Sequence, residues 1–326
     1  MTKDELQEKV NDYAKVISRI KEEMQKAVVG QEEIIDNLLC SIIADGHTLV
    51  EGIPGIAKTL IVRALGKVTG CETKRIQFTV DLLPTDILGI TSYTKERGFE
   101  VVKGPIFANF VIGDEINRSP PKTQSALLEA MQEKQVSIGK ETFPLPRPFF
   151  VMATQNPIET AGVYNLPEAQ VDRFLMKLLI YYPKPFEEQK VLKTNMTLRK
   201  FEEFNLKPIL SPEAIIEMQE TAKKIYTAKS VEEYIIRIVN MTRYTKGLTF
   251  GKYIEWGGSP RASIGLYIAS KARALMQGNT FVTPQHVKDV AYNILRHRIL
   301  LNYEGLAENI KSDTIIKEIL AKVPVP

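Results

Sequence analysis

The stretch Glu51–Leu60, EGIPGIAKTL, has the residue types of a phosphate-binding loop. Glycines let a backbone wrap an anion with its N–H groups pointing inward, a lysine reaches the outer phosphates, and a hydroxyl ligates Mg²⁺. Ala57 stands where the pattern G-x-x-x-x-G-K-[ST] has glycine, and a left-handed alanine costs about 1–2 kcal/mol. The alternative is an ordinary turn from a strand into a helix. The candidate loop residues are Gly52, Ile53, Pro54, Gly55, Ile56, Ala57, Lys58, Thr59 and Leu60.

Two adjacent carboxylates, Asp114 and Glu115, end the apolar run NFVIGDE. Carboxylates at the carboxyl end of a buried strand lie where open α/β sheets bind ligands. In a nucleotide site of the Walker B type, Asp114 joins Thr59 in the Mg²⁺ shell, and Glu115 orients and polarises the attacking water. The alternative is that both residues only cap the next helix. The phosphate-loop pattern upstream favours the nucleotide site.

A third polar segment, Thr154–Gln155–Asn156, follows the apolar run PFFVMA. Its position predicts that Asn156 lies at the same sheet edge and bonds the γ-phosphate or the water. Because Asn156 precedes Pro157, a plain turn residue is the alternative.

Strands must position these residues at one edge of a sheet. Five short apolar runs are candidate strands: HTLVE, RIQFT, NFVIGD, PFFVMAT and LMKLLIYYP. Helical segments separate most of them, which predicts an α/β fold with a parallel sheet covered by helices on both faces. Pro183 and Pro185 end the last run, so we place a domain boundary there, with residues 1–184 before it and 185–326 after it. Beyond it, helix starts of the form Ser/Thr-Pro predict a small all-helical lid domain.

The composition is that of a folded globular protein. The 326 residues carry a net charge of +4, which does not argue for a nucleic-acid or membrane-surface protein. Cys40 and Cys71 lack metal-ligand spacing, which favours a reduced, cytoplasmic compartment. No apolar run approaches the roughly twenty residues that span a bilayer, so we expect no membrane insertion.

The order of these motifs resembles that of the AAA+ ATPases, and more closely their MoxR branch. The resemblance spans most of residues 28–266 and is carried by five blocks in order: VVGQEEIIDNLLCSIIADGHTLVEGIPGIAKTL, RIQFTVDLLPTDILG, GPIFANFVIGDEINRSPPKTQSALLEAMQEKQVSIG, ATQNPIETAGVYNLPEAQVDRF and GGSPRASIGL. Alanine before the loop lysine is tolerated in that branch. Val80 departs from it, since proline is expected there.

The resemblance implies a P-loop AAA+ core with a five-stranded sheet, a helical lid, and a hexameric ring with ATP between subunits. In it Arg173 matches the arginine finger that reaches the neighbouring subunit's nucleotide; an ion pair with Glu168 or Asp172 is the alternative. Arg261 matches the sensor-2 arginine at the start of a lid helix. A cation there opposes the helix dipole unless an anion compensates it. The segment that packs on adenine corresponds to Val29, Gly30 and Gln31.

Further segments admit more than one role. GITSYTKERGFEVVKGP and the hairpin QVSIGKETFPLPRPF look like insertions of the branch, on the pore side or as surface loops. We expect the basic run LRHRIL to form a solvated face of the lid rather than a phosphate contact. Trp256 is expected to pack at the base of the sensor-2 helix.

The expected function is Mg²⁺-dependent hydrolysis of ATP to ADP and phosphate, coupled to remodelling or activation of a protein client. The resemblance implies partners with a von Willebrand factor type A domain. Three alternatives stay open: the ATPase subunit of a magnesium chelatase, a nucleic-acid motor related to replicative helicases, and a nucleotide-binding switch that barely hydrolyses. The nucleic-acid motor is disfavoured because the hairpin region mixes both charge signs, with Glu133, Lys134, Lys140, Glu141 and Arg147.

Overall fold

The structure is a computed structural model that describes residues 2–52, 58–95, 98–157, 162–194 and 200–326. The α-helices of these ranges are α1 Lys3–Met24, α2 Glu32–Ile43, α3 Lys58–Thr69, α4 Pro84–Leu88, α5 Pro121–Glu133, α6 Glu168–Val171, α7 Pro185–Thr194, α8 Pro212–Lys223, α9 Lys229–Arg243, α10 Pro260–Met276, α11 Pro284–Leu295, α12 Tyr303–Ala307 and α13 Ser312–Lys322. The strands are β1 Thr48–Gly52, β2 Thr73–Gln77, β3 Gly89–Thr94, β4 Gly98–Lys103, β5 Phe110–Asp114, β6 Gln135–Ile138, β7 Glu141–Pro144, β8 Phe150–Gln155, β9 Met176–Ile180, β10 Ile254–Trp256 and β11 Leu300–Leu301.

Five strands form the predicted parallel sheet, in the order β2-β5-β8-β1-β9. The central strands β5 and β8 are buried along almost their whole length, as continuous apolar runs require when both sheet faces are covered. The edge strand β2 is partly exposed and carries charged residues, a usual protection of a sheet edge. The predicted α/β class is confirmed.

The chain forms two compact units, which do not follow a single cut in the sequence. One unit comprises residues 18–173 and 178–216, and contains most of the sheet. In this unit the first predicted insertion forms the antiparallel hairpin β3–β4. The second forms the hairpin β6–β7, as its sequence predicted. The domain division at residues 184 and 185 stays a prediction.

A buried histidine holds β1, β8 and α5 of this unit together. The backbone N–H of Val151 donates to Nδ1 of His47 at 3.0 Å, so the imidazole's Nε2–H donates to the Met131 carbonyl, also at 3.0 Å. Burial lowers the pKa of His47 to about 4. The ring is therefore neutral near pH 7 and serves packing.

The other unit comprises residues 1–17, 174–177 and 217–326. Helices α10 and α11 begin as predicted: the side chains of Ser259 and Thr283 accept hydrogen bonds from first-turn N–H groups, and each helix has proline at its first position. The short antiparallel pair β10–β11 adds strand structure to this largely helical unit.

The basic run LRHRIL is not the solvated face that we expected. Arg298 is 6% exposed and donates to the carbonyls of Phe174 and Leu175 at 2.7 and 3.1 Å. His297 is buried against the Phe174 carbonyl, and Arg296 bonds to Lys177 O and pairs with Asp313. These three side chains supply hydrogen bonds to backbone carbonyls that burial would otherwise leave unpaired. The run is structural.

Trp256 also differs from its expectation. It is the last residue of β10 and its side chain is 66% exposed, so it does not pack under the following helix. At the base of α10 it is Gly258 that packs closely, since a Cβ there would lie 2.9 Å from the Cβ of Ala262, while Gly257 lies against the Thr242 carbonyl of α9.

Candidate nucleotide-binding and active site

The predicted phosphate loop lies between β1 and α3. Gly52 ends β1, and Lys58, Thr59 and Leu60 open α3, which is the strand–loop–helix order that a phosphate loop needs. The Lys58 ammonium donates to the Gly52 carbonyl, so it lies beside the last residue of β1. Ile53, Pro54, Gly55, Ile56 and Ala57 lie outside the described residues, and so does the backbone conformation at Ala57.

Packing favours glycine at position 52, in addition to the proposed phosphate binding. A Cβ at this position would lie 2.8 Å from the carbonyl oxygen of Ile180 on the neighbouring strand β9. Any larger residue would therefore push β1 and β9 apart just where the loop begins.

Glu115 follows β5 in a left-handed backbone conformation, with φ 57° and ψ 51°. This conformation costs about 1–2 kcal/mol for a residue with a Cβ, and such strain is concentrated at functional sites. The Glu115 N–H donates to the Thr154 hydroxyl at 2.9 Å, which fixes the turn. The backbone thus turns sharply at the residue predicted to orient the water.

Asp114 is engaged at both carboxylate oxygens. The Thr154 hydroxyl donates to Oδ1 at 2.6 Å. On the other oxygen, Oδ2, Arg75 donates from Nη2 at 2.6 Å and from Nε at 3.1 Å. Neighbouring strands supply these partners, because the parallel register places the ends of β2, β5 and β8 side by side.

The Glu115 side chain is held in turn by two donors. Gln77 donates from Nε2 to Oε2 at 2.7 Å, and Arg118 approaches the same oxygen at 3.3 Å. Sequence reasoning assigned no role to Arg75, Gln77 or Arg118. The signal for the first two is their alternate spacing on β2, which puts them on one face of the strand.

The Thr154 hydroxyl therefore links the Asp114 carboxylate to the backbone N–H of Glu115, and it is predicted to matter more than the Thr154 methyl. Thr154→Val should lower ATP turnover roughly tenfold or more and destabilise the fold by about 1–3 kcal/mol, because the Glu115 N–H loses its buried acceptor. Thr154→Ser, which keeps the hydroxyl, is the matched control. Turnover assays and denaturant unfolding of the three proteins test this, and equal turnover in Thr154→Val and wild type would contradict it.

Asn156 comes directly after β8 and is 5% exposed. It lies two residues beyond Thr154, at the same edge of the sheet as Asp114 and Glu115. The structure thus brings Thr154, Asp114 and Glu115 into direct contact and places Asn156 next along the chain.

Arg173 is half-buried and weakly held in the described part of the chain. Its Nη1 donates to the Leu128 carbonyl of α5 at 3.4 Å, and its Nε has no hydrogen-bond partner. The guanidinium therefore bonds to a helix carbonyl rather than to Glu168 or Asp172. A long bond and an unpaired donor leave this arginine able to take a better acceptor.

The proposed adenine segment precedes α2. Gly30 has φ 73°, a left-handed conformation that favours glycine, and a Cβ there would lie 2.7 Å from the carboxyl carbon at the flexible end of Glu187. Val29 and Gln31 are half-buried beside it, and Gln31 is the residue before the first turn of α2.

Arg261 lies in the other compact unit, in the first turn of α10. Its side chain is exposed, and that first turn has no acidic residue.

The donors present suit a hard cation that is shared with phosphate. Thr59 and Asp114 offer oxygen ligands, and no group of three or more His, Cys, Asp or Glu in the described ranges forms a complete metal cage. Mg²⁺ is usually held by one or two protein oxygens plus phosphates and water, so these residues fit it.

Comparison with known proteins places the chain in a family. The model of the ATPase family associated with various cellular activities (AAA) matches residues 47–176, and that of the AAA lid domain matches residues 250–319. Chaperone MoxR1 of Mycobacterium tuberculosis is 44% identical over 93% of this chain and 81% of its own length. The chain belongs to the MoxR family of AAA+ ATPases.

Two further relatives extend along nearly the whole chain. Protein YeaC of Bacillus subtilis, which is uncharacterised, is 42% identical over 97% of this chain and 96% of its own. A crystal structure from Cytophaga hutchinsonii is 46% identical and superposes with a TM-score of 0.91, covering 98% of this chain and 97% of the other. No helix in the described ranges is long and apolar enough to cross a membrane.

Proposed function

We propose that this MoxR-family ATPase hydrolyses Mg²⁺-bound ATP to ADP and phosphate at the carboxyl edge of its parallel sheet. The observation that carries the proposal is the left-handed Glu115, held beside Asp114 by the hydroxyl of Thr154. A capping role alone does not account for it, since Glu115 makes no side-chain cap of the following 3-10 helix.

Each residue contributes positioning or charge, which is most of what phosphoryl transfer requires. Lys58 moves from the Gly52 carbonyl to the outer phosphates, while the N–H groups at the start of α3 face the anion. Thr59 and Asp114 hold the Mg²⁺, which when bound neutralises charge on the β- and γ-phosphates. Glu115 orients and polarises the attacking water, and Asn156 bonds the γ-phosphate or that water.

Assembly completes the site in this proposal. In a hexameric ring, Arg173 leaves its weak contact with Leu128 and reaches the nucleotide of the neighbouring subunit. Arg261 contacts the phosphates from the lid unit, and Val29, Gly30 and Gln31 pack on adenine.

The work of the cycle is proposed to be chaperone-like remodelling or activation of a protein client that carries a von Willebrand factor type A domain. The similarity to Chaperone MoxR1 supports a protein client. The balanced charge of the chain supports a protein over a nucleic-acid partner. We propose a cytoplasmic location, which the two free, buried cysteines Cys40 and Cys71 support.

Lys58→Ala tests the nucleotide site directly. The variant should bind ATP at least roughly tenfold more weakly, because a charge-assisted contact to phosphate is lost. Lys67→Ala is the matched control, since Lys67 is an exposed lysine in the last turn of the same helix. Calorimetric titration with ATP and Mg²⁺ measures both, with circular dichroism to verify folding. If folded Lys58→Ala bound ATP as wild type does, the phosphate-loop assignment would fail.

A further inference from the structure

The centre of the edge strand β2 carries a residue, Arg75, for which the motifs give no role. We propose that Arg75 is a positioning residue, a displaceable counter-ion that holds Asp114 while no metal is bound and leaves it when Mg²⁺ arrives with the nucleotide. This inference rests on the proposed function and adds a step to metal loading.

Two side chains, those of Asp114 and Gln77, accept hydrogen bonds from Arg75. It donates from both Nε and Nη2 to Oδ2 of Asp114, and from Nη2 to Oε1 of Gln77 at 2.5 Å. With the Thr154 hydroxyl on Oδ1, every oxygen of the Asp114 carboxylate has a donor. The guanidinium therefore bonds to Oδ2, the carboxylate oxygen to which Thr154 does not donate.

Burial differs between the partners in a way that decides which of them moves. The Asp114 side chain is 15% exposed and anchored by Thr154, whereas the Arg75 side chain is 50% exposed. Because β2 is the outermost strand of the sheet, Arg75 has open solvent beside it. Arg75 can rotate into water at small cost, whereas moving Asp114 would also disturb the Glu115 turn.

The guanidinium and Mg²⁺ compete for the same carboxylate. Mg²⁺ demands near-octahedral oxygen geometry, and a cation at Asp114 is repelled by a guanidinium that remains in contact with it. Before metal binds, Arg75 offsets the repulsion between the adjacent carboxylates Asp114 and Glu115. Once Arg75 leaves, Gln77 loses its donor at Oε1 and keeps its bond to Glu115 through Nε2.

The test measures metal affinity rather than turnover. Mn²⁺ binding to the ADP-loaded protein is followed by electron paramagnetic resonance in wild type, Arg75→Ala, Arg75→Lys and Lys74→Ala. Lys74 is the matched control: it is the preceding residue on β2, it points to the opposite strand face, and its ion pair is with Glu72. ADP binding in EDTA, measured by calorimetry, reports the nucleotide site without metal.

Arg75→Ala should bind Mn²⁺ roughly two- to fivefold more tightly, because the free energy of a half-exposed ion pair corresponds to an affinity change of about that size. Arg75→Lys should fall close to wild type, Lys74→Ala should match wild type, and ADP binding in EDTA should not change. A linked readout is thermal unfolding, in which Arg75→Ala should lose stability in EDTA and regain it with ADP and Mn²⁺.

Weaker or unchanged Mn²⁺ binding in folded Arg75→Ala would overturn the counter-ion role, and so would equal tightening in Lys74→Ala, which would indicate only a general loss of charge. A wild type that binds no ADP would instead overturn the proposed function, and this inference with it.

Discussion

Glu115→Gln is expected to bind ATP as the wild type does and to turn it over roughly 10²–10⁴-fold more slowly, the contribution of a positioned general base. Glutamine has the same shape as glutamate, so the left-handed turn at residue 115 and its N–H bond to Thr154 should persist. What is lost is the negative charge that polarises the water. ATP binding by calorimetry and phosphate release under saturating ATP separate the two effects.

Charge loss alone is controlled by Glu233→Gln, on an exposed position of α9 in the other compact unit. This control should retain full turnover. Similar turnover in Glu115→Gln and wild type would reject the catalytic assignment and favour the view that Asp114 and Glu115 only shape a turn. A wild type with little turnover even when assembled would instead support the nucleotide-switch alternative.

The sequence was most informative where local pattern and tertiary structure coincide. The buried strands β1, β5 and β8 are continuous apolar runs, and the polar residues that end them lie together because all three strands are parallel. The same holds for the starts of α10 and α11, whose caps are readable from two residues.

Side-chain contacts between strands that are far apart in the sequence could not be predicted from such local patterns. Arg75 reaches Asp114 only because β2 pairs with β5, although α4 and the hairpin β3–β4 lie between them in the chain. The left-handed backbone at Glu115 is likewise a consequence of the Thr154 bond, which joins residues 39 apart. Such features depend on register, which the individual segments do not specify.

Charge in a sequence was the least reliable guide to exposure. Arg298 lies in a run of cations, yet it is buried because the carbonyls of Phe174 and Leu175 need donors. Trp256 shows the converse, since an apolar residue at the end of a short strand is exposed. A charged side chain can be buried where backbone carbonyls need hydrogen-bond donors. Which carbonyls need them becomes clear only from the tertiary structure.

Arg173→Ala is expected to keep most of the affinity for ATP and to lose roughly 10³–10⁵-fold in turnover, the effect of removing an arginine that stabilises transition-state charge. Among the residues that the structure describes, the hydrogen bond of this arginine is the 3.4 Å one to Leu128, so its removal should cost little stability. Arg237→Ala is a close control, since Arg237 also donates to a carbonyl at 3.4 Å and has an unpaired Nε. Unfolding and turnover assays on both variants should show similar stability but a large difference in turnover.

Mixing two inactive proteins then tests whether Arg173 acts across a subunit boundary. In a head-to-tail ring of Arg173→Ala and Glu115→Gln subunits in equal amounts, about a quarter of the interfaces combine an intact Glu115 with an intact Arg173 from the neighbour. Turnover should recover toward that fraction. If mixed rings formed, as shown by co-purification through different tags, and yet stayed inactive, Arg173 would not act in trans. Recovery would instead tie hydrolysis to assembly, because the weak bond to Leu128 holds the arginine until a neighbouring phosphate offers a stronger acceptor.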